Sequence, residues 1–471
     1  SGRIRLGEHD LAILPEAVTG RRVSYVGPQL FLFSETVEAN LIYGLKQMTV
    51  DANDGSPSPE RKRDIADALA SGNIELDYHG QWIDFEARGI SGPGALRERL
   101  TSVLSVVGLD EDIYRMGLGG TIDPTQDPDL AEQVLRVREA VADRLQDGDY
   151  AELVESFDFE KYNDSATVAE NLLFGTPVGE TFETEALAKN DYVLSVLEKV
   201  GLKDRFLAIG LEVAETMIEL FADLPPGHPF FEQFSFISSD DLPEFQPLIA
   251  KAGGKDGASR LEPEERARLM ALPFMLVPGQ HRLGVIEDDE RTKILEARRQ
   301  FADGLPEDLK GAVEFFNLEK YNAAATLQDN ILFGKARYGQ ADGAEKVSRL
   351  ITDVVAELNL RGTIIEAGLE NPVGVGGGRL TAQQRQKVAL ARALLKDPDL
   401  LILNEATGSL DNAEQARITE QVISARGEKG LIWAPENPDL ARLFDEVLLV
   451  KDGRVAGRGE YESLAEQHGP L

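Results

Sequence analysis

Cysteine is absent from the 471 residues of the chain. Disulfide bonds, thiolate nucleophiles and cysteine-bound zinc are therefore excluded. Histidine is scarce, and no pair has the H-x-x-x-H spacing of a helical zinc site. We expect isolated surface or turn histidines rather than a metal centre at His9, His79, His228, His281 and His468.

Positive charge is also in short supply, with 49 Lys and Arg residues against 82 Asp and Glu and a formal net charge of −33. A surface that binds a nucleic-acid backbone or an anionic membrane needs clustered Lys and Arg. We therefore expect no nucleic-acid partner, and we expect the acidity to keep the surface soluble. The acidic run at 287–290 lacks the spacing of an EF-hand loop and favours a solvated face over a calcium site.

No apolar run approaches the roughly 20 residues that a membrane-spanning helix needs. The chain starts at Ser1 rather than Met, and nothing there resembles a signal peptide, so we expect a processed protein or a fragment. Hydrophobic residues make up 42% and charged residues 28% of the chain, which is typical of a globular protein. The length suggests two to four domains.

An internal repeat is present. The segment 157–175, FDFEKYNDSATVAENLLFG, aligns without gaps with 316–334, FNLEKYNAAATLQDNILFG, and a weaker copy lies at 33–44, FSETVEANLIYG. All three share a T-x-x-x-N-x-x-x-G spacing. We expect each copy to form a Thr N-cap, one or two helical turns with an apolar face, and a Gly C-cap.

The N-terminal and middle parts give a coarse prediction. The run 21–29 predicts a short strand that delivers Gln29 onto a loop after Gly27-Pro28. Residues 129–146 and 192–222 have helical periodicity, with Gly201 and Gly210 as expected breaks. The remaining predictions are a polar connector at 56–64, a packed irregular connection at 221–245, and two helical pieces within 262–304 interrupted near Pro273 to Pro278.

The C-terminal part predicts an α/β core, because helices alternate with short apolar strands. The predicted helices are 343–360, 381–396 and 412–426, and the predicted buried strands are 399–403 and 430–434. A hairpin over 446–459 should turn at Asp452-Gly453. The glycine-rich run 374–378 lacks the strand and helix of a dinucleotide-binding loop, which favours a flexible lead-in to the next helix.

Four motifs in order carry a family resemblance. Gln29 follows a strand, LTAQQ at 380–384 opens a helix that reads RQKVALARALLKDPD, an apolar strand ends at Asn404-Glu405, and EATGSLD spans 405–411. The chain resembles the nucleotide-binding domain of ATP-binding-cassette (ABC) transporters, over residues 1–48 and about 311–471. The resemblance implies an α/β fold: a P-loop NTPase-like core, a helical subdomain, and here a large, mainly helical insertion.

The resemblance also implies roles, with ATP and Mg²⁺ as cofactors. Glu405 would be the catalytic base; the alternative is an acid stabilised by a helix dipole. Gln29 would sense the γ-phosphate and touch magnesium or water, and Asn404 would lie beside the metal. The residues that would contact a nucleotide held by the opposite subunit, or communicate with that subunit, are Leu380, Thr381, Ala382, Gln383, Gln384 and Asp411.

The family's phosphate-binding loop, G-x-x-x-x-G-K-[ST], does not occur in the sequence. Residues 1–4 resemble the strand that normally follows this loop and its helix, so we expect the chain to start just downstream of it. The rival interpretation is a relative that never had the loop. On either account, we expect the chain alone neither to hydrolyse ATP nor to bind it tightly.

Three positions depart from the family pattern. Asn404 replaces an Asp that would hold magnesium through water, and Pro435 stands where the next strand would deliver a histidine. Ala382 and Gln383 replace two glycines of the signature, and Gln383 adds bulk where backbone must approach phosphate. Together these changes raise the alternative of a catalytically degenerate domain that acts as a scaffold or regulatory partner.

The predicted organisation has four segments. They are an N-terminal part of the core (1–48), an acidic and mainly helical insertion that contains the repeat (49–315), a helical subdomain (316–379), and the signature helix with the C-terminal α/β core (380–471). The resemblance implies a second ABC ATPase domain and a transmembrane transporter domain as partners, at the cytoplasmic face of a membrane. The transported substrate and its direction are not predicted.

Overall fold

A computed structural model describes residues 4–50, 58–73, 81–83, 85, 89–146, 148, 150–221, 237–238, 240–253, 260–340 and 342–468. The α-helices within these ranges are α1 (Glu16–Arg22), α2 (Val37–Ile42), α3 (Pro59–Ser71), α4 (Pro93–Val107), α5 (Asp110–Leu118), α6 (Pro128–Arg144), α7 (Val168–Leu173), α8 (Thr184–Leu187), α9 (Asp191–Lys199), α10 (Lys203–Phe221), α11 (Leu242–Ala252), α12 (Pro263–Met275), α13 (Pro278–His281), α14 (Asp288–Gly304), α15 (Leu327–Leu332), α16 (Gly343–Glu357), α17 (Arg361–Leu369), α18 (Ala382–Leu395), α19 (Asn412–Arg426) and α20 (Tyr461–His468).

The strands are short. They are β1 (Arg5–Leu6), β2 (His9–Asp10), β3 (Val23–Val26), β4 (Lys46–Val50), β5 (Gln81–Ile83), β6 (Val154–Ser156), β7 (Gly175–Pro177), β8 (Val313–Phe315), β9 (Gly334–Ala336), β10 (Leu400–Asn404), β11 (Gly430–Ala434), β12 (Val447–Lys451) and β13 (Arg454–Gly459). Single 3₁₀ turns occupy Tyr43–Leu45, Glu307–Ala312, Val375–Gly377 and Pro438–Leu443.

The chain divides into two compact units. Unit 1 comprises residues 1–117 and 364–471, and unit 2 comprises residues 118–363. These limits differ from the four segments predicted from the sequence. Helix α4 packs on α18 and α19 and so lies with the C-terminal core. The repeat copy at 316–334, which was predicted to belong to a separate helical subdomain, lies in unit 2 with the copy at 157–175.

Unit 1 is built on a parallel sheet with the strand order β11-β10-β3. In its register Val26 pairs with Leu403 and Asn404 pairs with Ala434, so the three carboxyl ends lie at one edge. Helix α18 packs on this sheet and on α2, because its apolar face, including Val388, Ala391 and Leu395, is buried. The predicted strands, the predicted α19 and the hairpin turn at Asp452-Gly453 are present. The burial predicted for 430–434 is wrong, because β11 is an edge strand of the sheet, its residues are exposed or half-buried, and Ile432 is 56% exposed.

Unit 2 contains the two long repeat copies, and its sheets show a pseudo-two-fold arrangement. Strand β6 pairs antiparallel with β9, and β7 pairs antiparallel with β8, so each strand of one copy pairs with a strand of the other. Where the two copies meet, Phe157 stacks on its counterpart Phe316, with ring centroids 4.2 Å apart and an interplanar angle of 9°. The duplication seen in the sequence is thus a duplication of structure.

The Thr N-caps predicted for the repeat are present, because the hydroxyl groups of Thr36, Thr167 and Thr326 each accept a backbone hydrogen bond in the first turn. The predicted Gly C-caps are wrong. Phe174 and Phe333 take the left-handed cap conformation, with φ of 47° and 44°. The glycines that follow begin strands instead; a Cβ at Gly175 would lie 2.6 Å from the carbonyl oxygen of Glu314, so close strand pairing requires glycine there.

Gly201 separates α9 from α10 as predicted, but the break predicted at Gly210 is wrong. Gly210 lies inside α10, where a Cβ would come within 2.1 Å of the Leu269 carbonyl oxygen on α12. Pro273 has no N–H to bond that carbonyl four residues earlier. Glycine therefore allows the two helices to approach over a carbonyl group that the α12 ladder leaves open.

Two connectors also differ from prediction. The polar stretch 56–64 is not all connector, because α3 begins at Pro59 with Ser58 as its N-cap, an arrangement that favours helix initiation. Within 262–304 the chain forms three helical pieces rather than two, and Pro273 lies near the end of α12 instead of in the break. Most of the predicted irregular connection at 221–245 lies outside the described residues.

Candidate functional site

The carboxyl edge of the parallel sheet in unit 1 carries two of the predicted site residues. Glu405 follows β10 directly, and Gln29 follows the end of the neighbouring β3 by three residues. Both side chains are exposed. This edge is where open α/β sheets place their ligands.

Glu405 takes an unusual backbone conformation. Its φ is 52°, in the left-handed region where a non-glycine residue costs about 1–3 kcal/mol. Its N–H donates to the Ala434 carbonyl at 2.9 Å, which continues the pairing with β11 past the strand end. The Glu405 side chain is exposed, and no side chain in the described part of the molecule bonds to its carboxylate.

Gln386 of α18 fixes this turn from behind. Its buried amide accepts a hydrogen bond from the Ser409 N–H at 2.8 Å and lies 3.5 Å from the Glu405 carbonyl oxygen, to which it donates. One side chain thereby holds both ends of the turn 405–409 against the helix that the signature opens. Gln386 was not predicted as a site residue, although its position in the second turn of the signature helix placed it near the predicted site.

The signature segment forms the start of α18. Thr381 is the N-cap: its hydroxyl accepts from the Gln384 N–H at 3.2 Å, and the Gln384 side chain accepts from the Thr381 N–H at 3.0 Å. This capping box uses the polar side chains locally. Leu380 is buried, whereas Thr381, Ala382 and Gln383 are exposed. The N–H groups of Ala382 and Gln383, which the capping box leaves free, therefore lie at the exposed positive end of the helix dipole.

Asp411 is exposed and caps the next helix. Its carboxylate accepts from the Glu414 N–H at 2.9 Å at the start of α19. Between Glu405 and Asp411, Ala406, Thr407 and Leu410 are buried. The segment 405–411 is therefore anchored by these three buried residues, whereas its two acidic residues, Glu405 and Asp411, are exposed.

A buried lysine joins the elements around the signature helix. The Lys387 amine lies 2.6 Å from a Glu414 oxygen, 3.2 Å from an Asp112 oxygen and 3.0 Å from the Gly108 carbonyl oxygen. Two carboxylates and a carbonyl compensate the desolvation of one ammonium group. This network, which the sequence analysis missed, fixes α18 relative to α4, α5 and α19.

Pro435 stands directly after β11, and Glu436 follows it. The Glu436 carboxylate lies over Gly408, since a Cβ on that glycine would come within 2.3 Å of it. A second carboxylate thus overlies the segment that begins at Glu405. Glu436 was not predicted as a site residue, although its position just after the apolar run 430–434 indicated the same sheet edge.

The donor set fits a metal bound together with a phosphate ligand better than a metal bound by protein alone. No group of three or more His, Asp or Glu side chains suited to a metal occurs within the described residues. The exposed Gln29 and the half-buried Asn404 carry amide oxygens, and the exposed Glu405 carries a carboxylate, at or just after the carboxyl ends of β3 and β10. Mg²⁺ is commonly held by few protein ligands plus phosphate oxygens and water.

Comparison with known proteins identifies relatives for part of the chain, although no protein-family model matches it. An ATP-dependent lipid A-core flippase of Xanthomonas euvesicatoria pv. vesicatoria is 27% identical over 259 residues, covering 50% of this chain and 43% of the flippase. The flippase of the same name from Xylella fastidiosa is 30% identical over 184 residues, covering 39% and 30%. The heterocyst differentiation ATP-binding protein HepA of Nostoc sp. is 30% identical over 166 residues, covering 34% and 27%.

The chain is related to ABC transporter domains. The resemblance predicted from its motifs is thereby confirmed. A solved structure of a bacterial Atm1-family ABC exporter with ATP bound is also similar, at 27% identity over 28% of this chain, with a TM-score of 0.21. The chain spans less than half the length of each of these curated relatives.

In the ranges that the structure describes, no helix combines the length and the apolar character needed to cross a bilayer.

Proposed function

We propose that this ABC-related chain is the ATP-binding part of an exporter-like transporter, in which ATP hydrolysis drives movement across a membrane. The supporting observation is the sheet edge of unit 1, where Glu405 is held outward by a strained turn and Gln29 follows the adjacent strand. The names of the relatives, an ATP-dependent flippase and an ATP-binding protein, agree with this reaction.

In this mechanism Glu405 is the general base. Its carboxylate polarises a water molecule for in-line attack on the γ-phosphate and accepts the proton that the water loses. Gln29 orients that water or the metal from the neighbouring strand, with Asn404 beside it. Bound Mg²⁺ would supply charge neutralisation at the phosphate oxygens.

The signature segment would serve a second ATP-binding domain. The signature residues Leu380, Thr381, Ala382, Gln383 and Gln384 would face a phosphate held by a partner ABC ATPase domain, with the N–H groups of Ala382 and Gln383 as its donors. Asp411 would lie towards the same partner. A transmembrane transporter domain completes the assembly, and the chain would work at the cytoplasmic face of that membrane.

A second candidate is a domain that assembles in the same way without hydrolysing ATP. Asn404, Gln383 and Pro435 favour it. They replace an Asp, a signature Gly and a His that assist hydrolysis in the ABC transporter family. In this candidate the chain would stabilise or regulate an active partner domain.

Turnover decides between the two candidates. Because the sequence contains no phosphate-binding loop, we expect no hydrolysis by the chain alone, and the assay joins the full chain to the phosphate-loop segment of one of its flippase relatives. We expect ATP hydrolysis by this chimera and a loss of about 10²-fold or more in Glu405→Gln, because a general base contributes roughly 10²–10⁴ in rate.

Glu460→Gln is the matched control, since Glu460 is an exposed acid outside the site. It should hydrolyse ATP at the parental rate. Equal turnover in Glu405→Gln and the parent would contradict a catalytic role for Glu405, and a folded chimera without turnover would favour the scaffold candidate.

A further inference from the structure

Arg392 of α18 makes a fork of hydrogen bonds to the segment that carries Gln29. Its Nε and Nη2 donate to the backbone oxygen and the side-chain oxygen of Asn40, at 2.7 and 2.8 Å. Its Nη1 donates to the carbonyl oxygen of Phe31 at 3.0 Å. One guanidinium thereby joins the helix, the short α2 and the loop between Gln29 and α2.

The same arrangement occurs twice more, in unit 2. Arg298 donates to the backbone and side-chain oxygens of Asn171 at 2.7 and 3.1 Å. Arg138 does the same to Asn330 at 2.6 and 3.0 Å. In both, Nη1 donates to carbonyl oxygens of the preceding loop. We call these three arrangements the arginine clamps; each holds the Asn of a T-x-x-x-N repeat copy.

The clamp of unit 1 differs in what it holds. Phe31 lies two residues after Gln29. Lys396, the C-cap of α18 one turn beyond Arg392, donates to the Val23 carbonyl oxygen at 2.8 Å. The chain on both sides of Gln29 is therefore attached to the same helix. The clamped loops of unit 2, residues 157–163 and 316–322, contain no glutamine, so those clamps hold a scaffold alone.

We infer that Arg392 is a positioning residue, which fixes the Gln29 loop to the helix that begins at the signature. The inference rests on the proposed function, where Gln29 and the signature serve the same nucleotide-dependent reaction. A guanidinium presents its donors in a rigid plane, so two bonds to Asn40 of α2 and one to Phe31 of the loop leave the loop little freedom relative to α18. A lysine keeps the charge but replaces the fork by a single flexible donor.

The absence of cysteine permits a direct test in the full chain, since one introduced thiol carries one spin label. Phe31→Cys and Leu318→Cys are matched sites: their side chains are 68% and 63% exposed, and their own carbonyl oxygens accept the Nη1 bonds of Arg392 and Arg138, at 3.0 and 2.7 Å. Arg392→Lys should raise label mobility several-fold at position 31 and leave position 318 unchanged. Arg138→Lys should do the reverse.

Val388→Ala distinguishes a positioning role of Arg392 from a general effect on stability. Val388 is buried on the same helix, and its truncation removes core packing without touching the clamp. It should lower the urea midpoint of unit 1, followed by tryptophan fluorescence, without mobilising the label at position 31. Arg392→Lys should mobilise that label even in the absence of urea. If mobility at position 31 follows stability across both variants, the positioning role is overturned.

The catalytic readout uses the phosphate-loop chimera, which contains the full chain. Arg392→Lys should lower kcat by about 10- to 10²-fold, as expected for a displaced group at the reacting centre, with KM for ATP nearly unchanged, and Arg138→Lys should alter neither. Unchanged kcat in Arg392→Lys would overturn the inference and leave the proposed function standing. Absence of turnover in the parent chimera would contradict the proposed function. The label experiment would still decide whether Arg392 holds the loop.

Discussion

Units 1 and 2 use the same local device in different surroundings. In unit 2 the two clamped copies face each other, and their aromatic rings, including Phe157, Phe174, Phe316 and Phe333, meet edge to face or stacked. In unit 1 the single copy has no such twin, and Phe31 and Tyr43 remain largely exposed. Its preceding strand, β3, enters the parallel sheet that carries Glu405.

The difference shows what the repeat motif determines and what it leaves open. Thr and Asn build a capped helix that an arginine can hold, and this local structure is the same in all three copies. The pairing of the preceding strand is set elsewhere: β6 and β8 pair with strands of the repeat itself, whereas β3 pairs with β10. The latter pairing brings the loop to the sheet edge that carries Glu405.

The largest expected effect comes from breaking a clamp of unit 2. Arg298→Met removes a buried guanidinium and leaves the buried Asn171 carbonyl oxygen and the part-buried carbonyl oxygens of the preceding loop without its hydrogen bonds. We expect a loss of about 3–5 kcal/mol in the free energy of unfolding of unit 2. Both tryptophans, Trp82 and Trp433, lie in unit 1, so far-UV circular dichroism should show the loss while the tryptophan transition stays in place.

The adjacent Arg299 provides the matched control. It is half exposed and pairs with Glu160 at the surface, so Arg299→Met should cost about 1 kcal/mol or less. Equal losses in the two variants, or a shift of the tryptophan transition in Arg298→Met, would show that the clamp is not the local support of unit 2.

The contact between the two copies in unit 2 should give the next largest effect. Phe157→Ala and Phe316→Ala each remove one of two stacked rings, and we expect each to lower stability by about 2–3 kcal/mol, since neither ring is fully buried. The double variant should lose about 1 kcal/mol less than the sum, because the pair interaction is lost only once. Urea unfolding of the four proteins measures this coupling; strict additivity would contradict the pseudo-symmetric contact.

The sequence alone predicted much of unit 1 and the local structure of the repeat. Apolar runs at 399–403 and 430–434 indicated parallel strands, and Thr followed by an apolar helix indicated the caps. The partners of the arginines could not be predicted, because Arg392 and Asn40 are separated by most of the chain. An arginine on a helix is ordinarily a surface residue, and only the fold reveals which arginines are buried.

The site was predictable to the extent that it is local. Glu405 and Gln29 follow strands, and their common edge follows from parallel pairing. Gln386, Lys387 and Glu436 were missed because their partners come from other elements. The C-caps were misassigned for a related reason: glycine after the repeat helix is required by the antiparallel pairing between the copies, which the helix pattern does not contain.

The smallest expected effect concerns a residue that distinguishes the copy of unit 1 from the others. Glu38 is half-buried on α2, and its positions in the other copies are Ala169 and Gln328, which carry no charge. Burial, followed by a hydrogen bond and like-charge repulsion with Glu370, raises the pKa of the Glu38 carboxyl above its usual 4.5. The folded state therefore favours the protonated form, and its stability decreases as pH rises from 4.5 through the raised pKa.

Glu38→Gln introduces the residue found at the equivalent position, Gln328, of the copy at 316–334. It should remove the free-energy cost of a charged Glu38 in the folded state. Near pH 7 it should raise the urea midpoint of the tryptophan transition by the equivalent of about 1 kcal/mol or less, since both carboxyl groups are partly solvated. The gain should disappear below pH 4.5, where the parental side chain is already neutral. Glu35→Gln, an exposed acid on the same segment, should give no such pH-dependent gain. If the two variants behave alike from pH 4 to 7, the charge of Glu38 does not separate unit 1 from unit 2, and the difference between the copies lies in strand pairing alone.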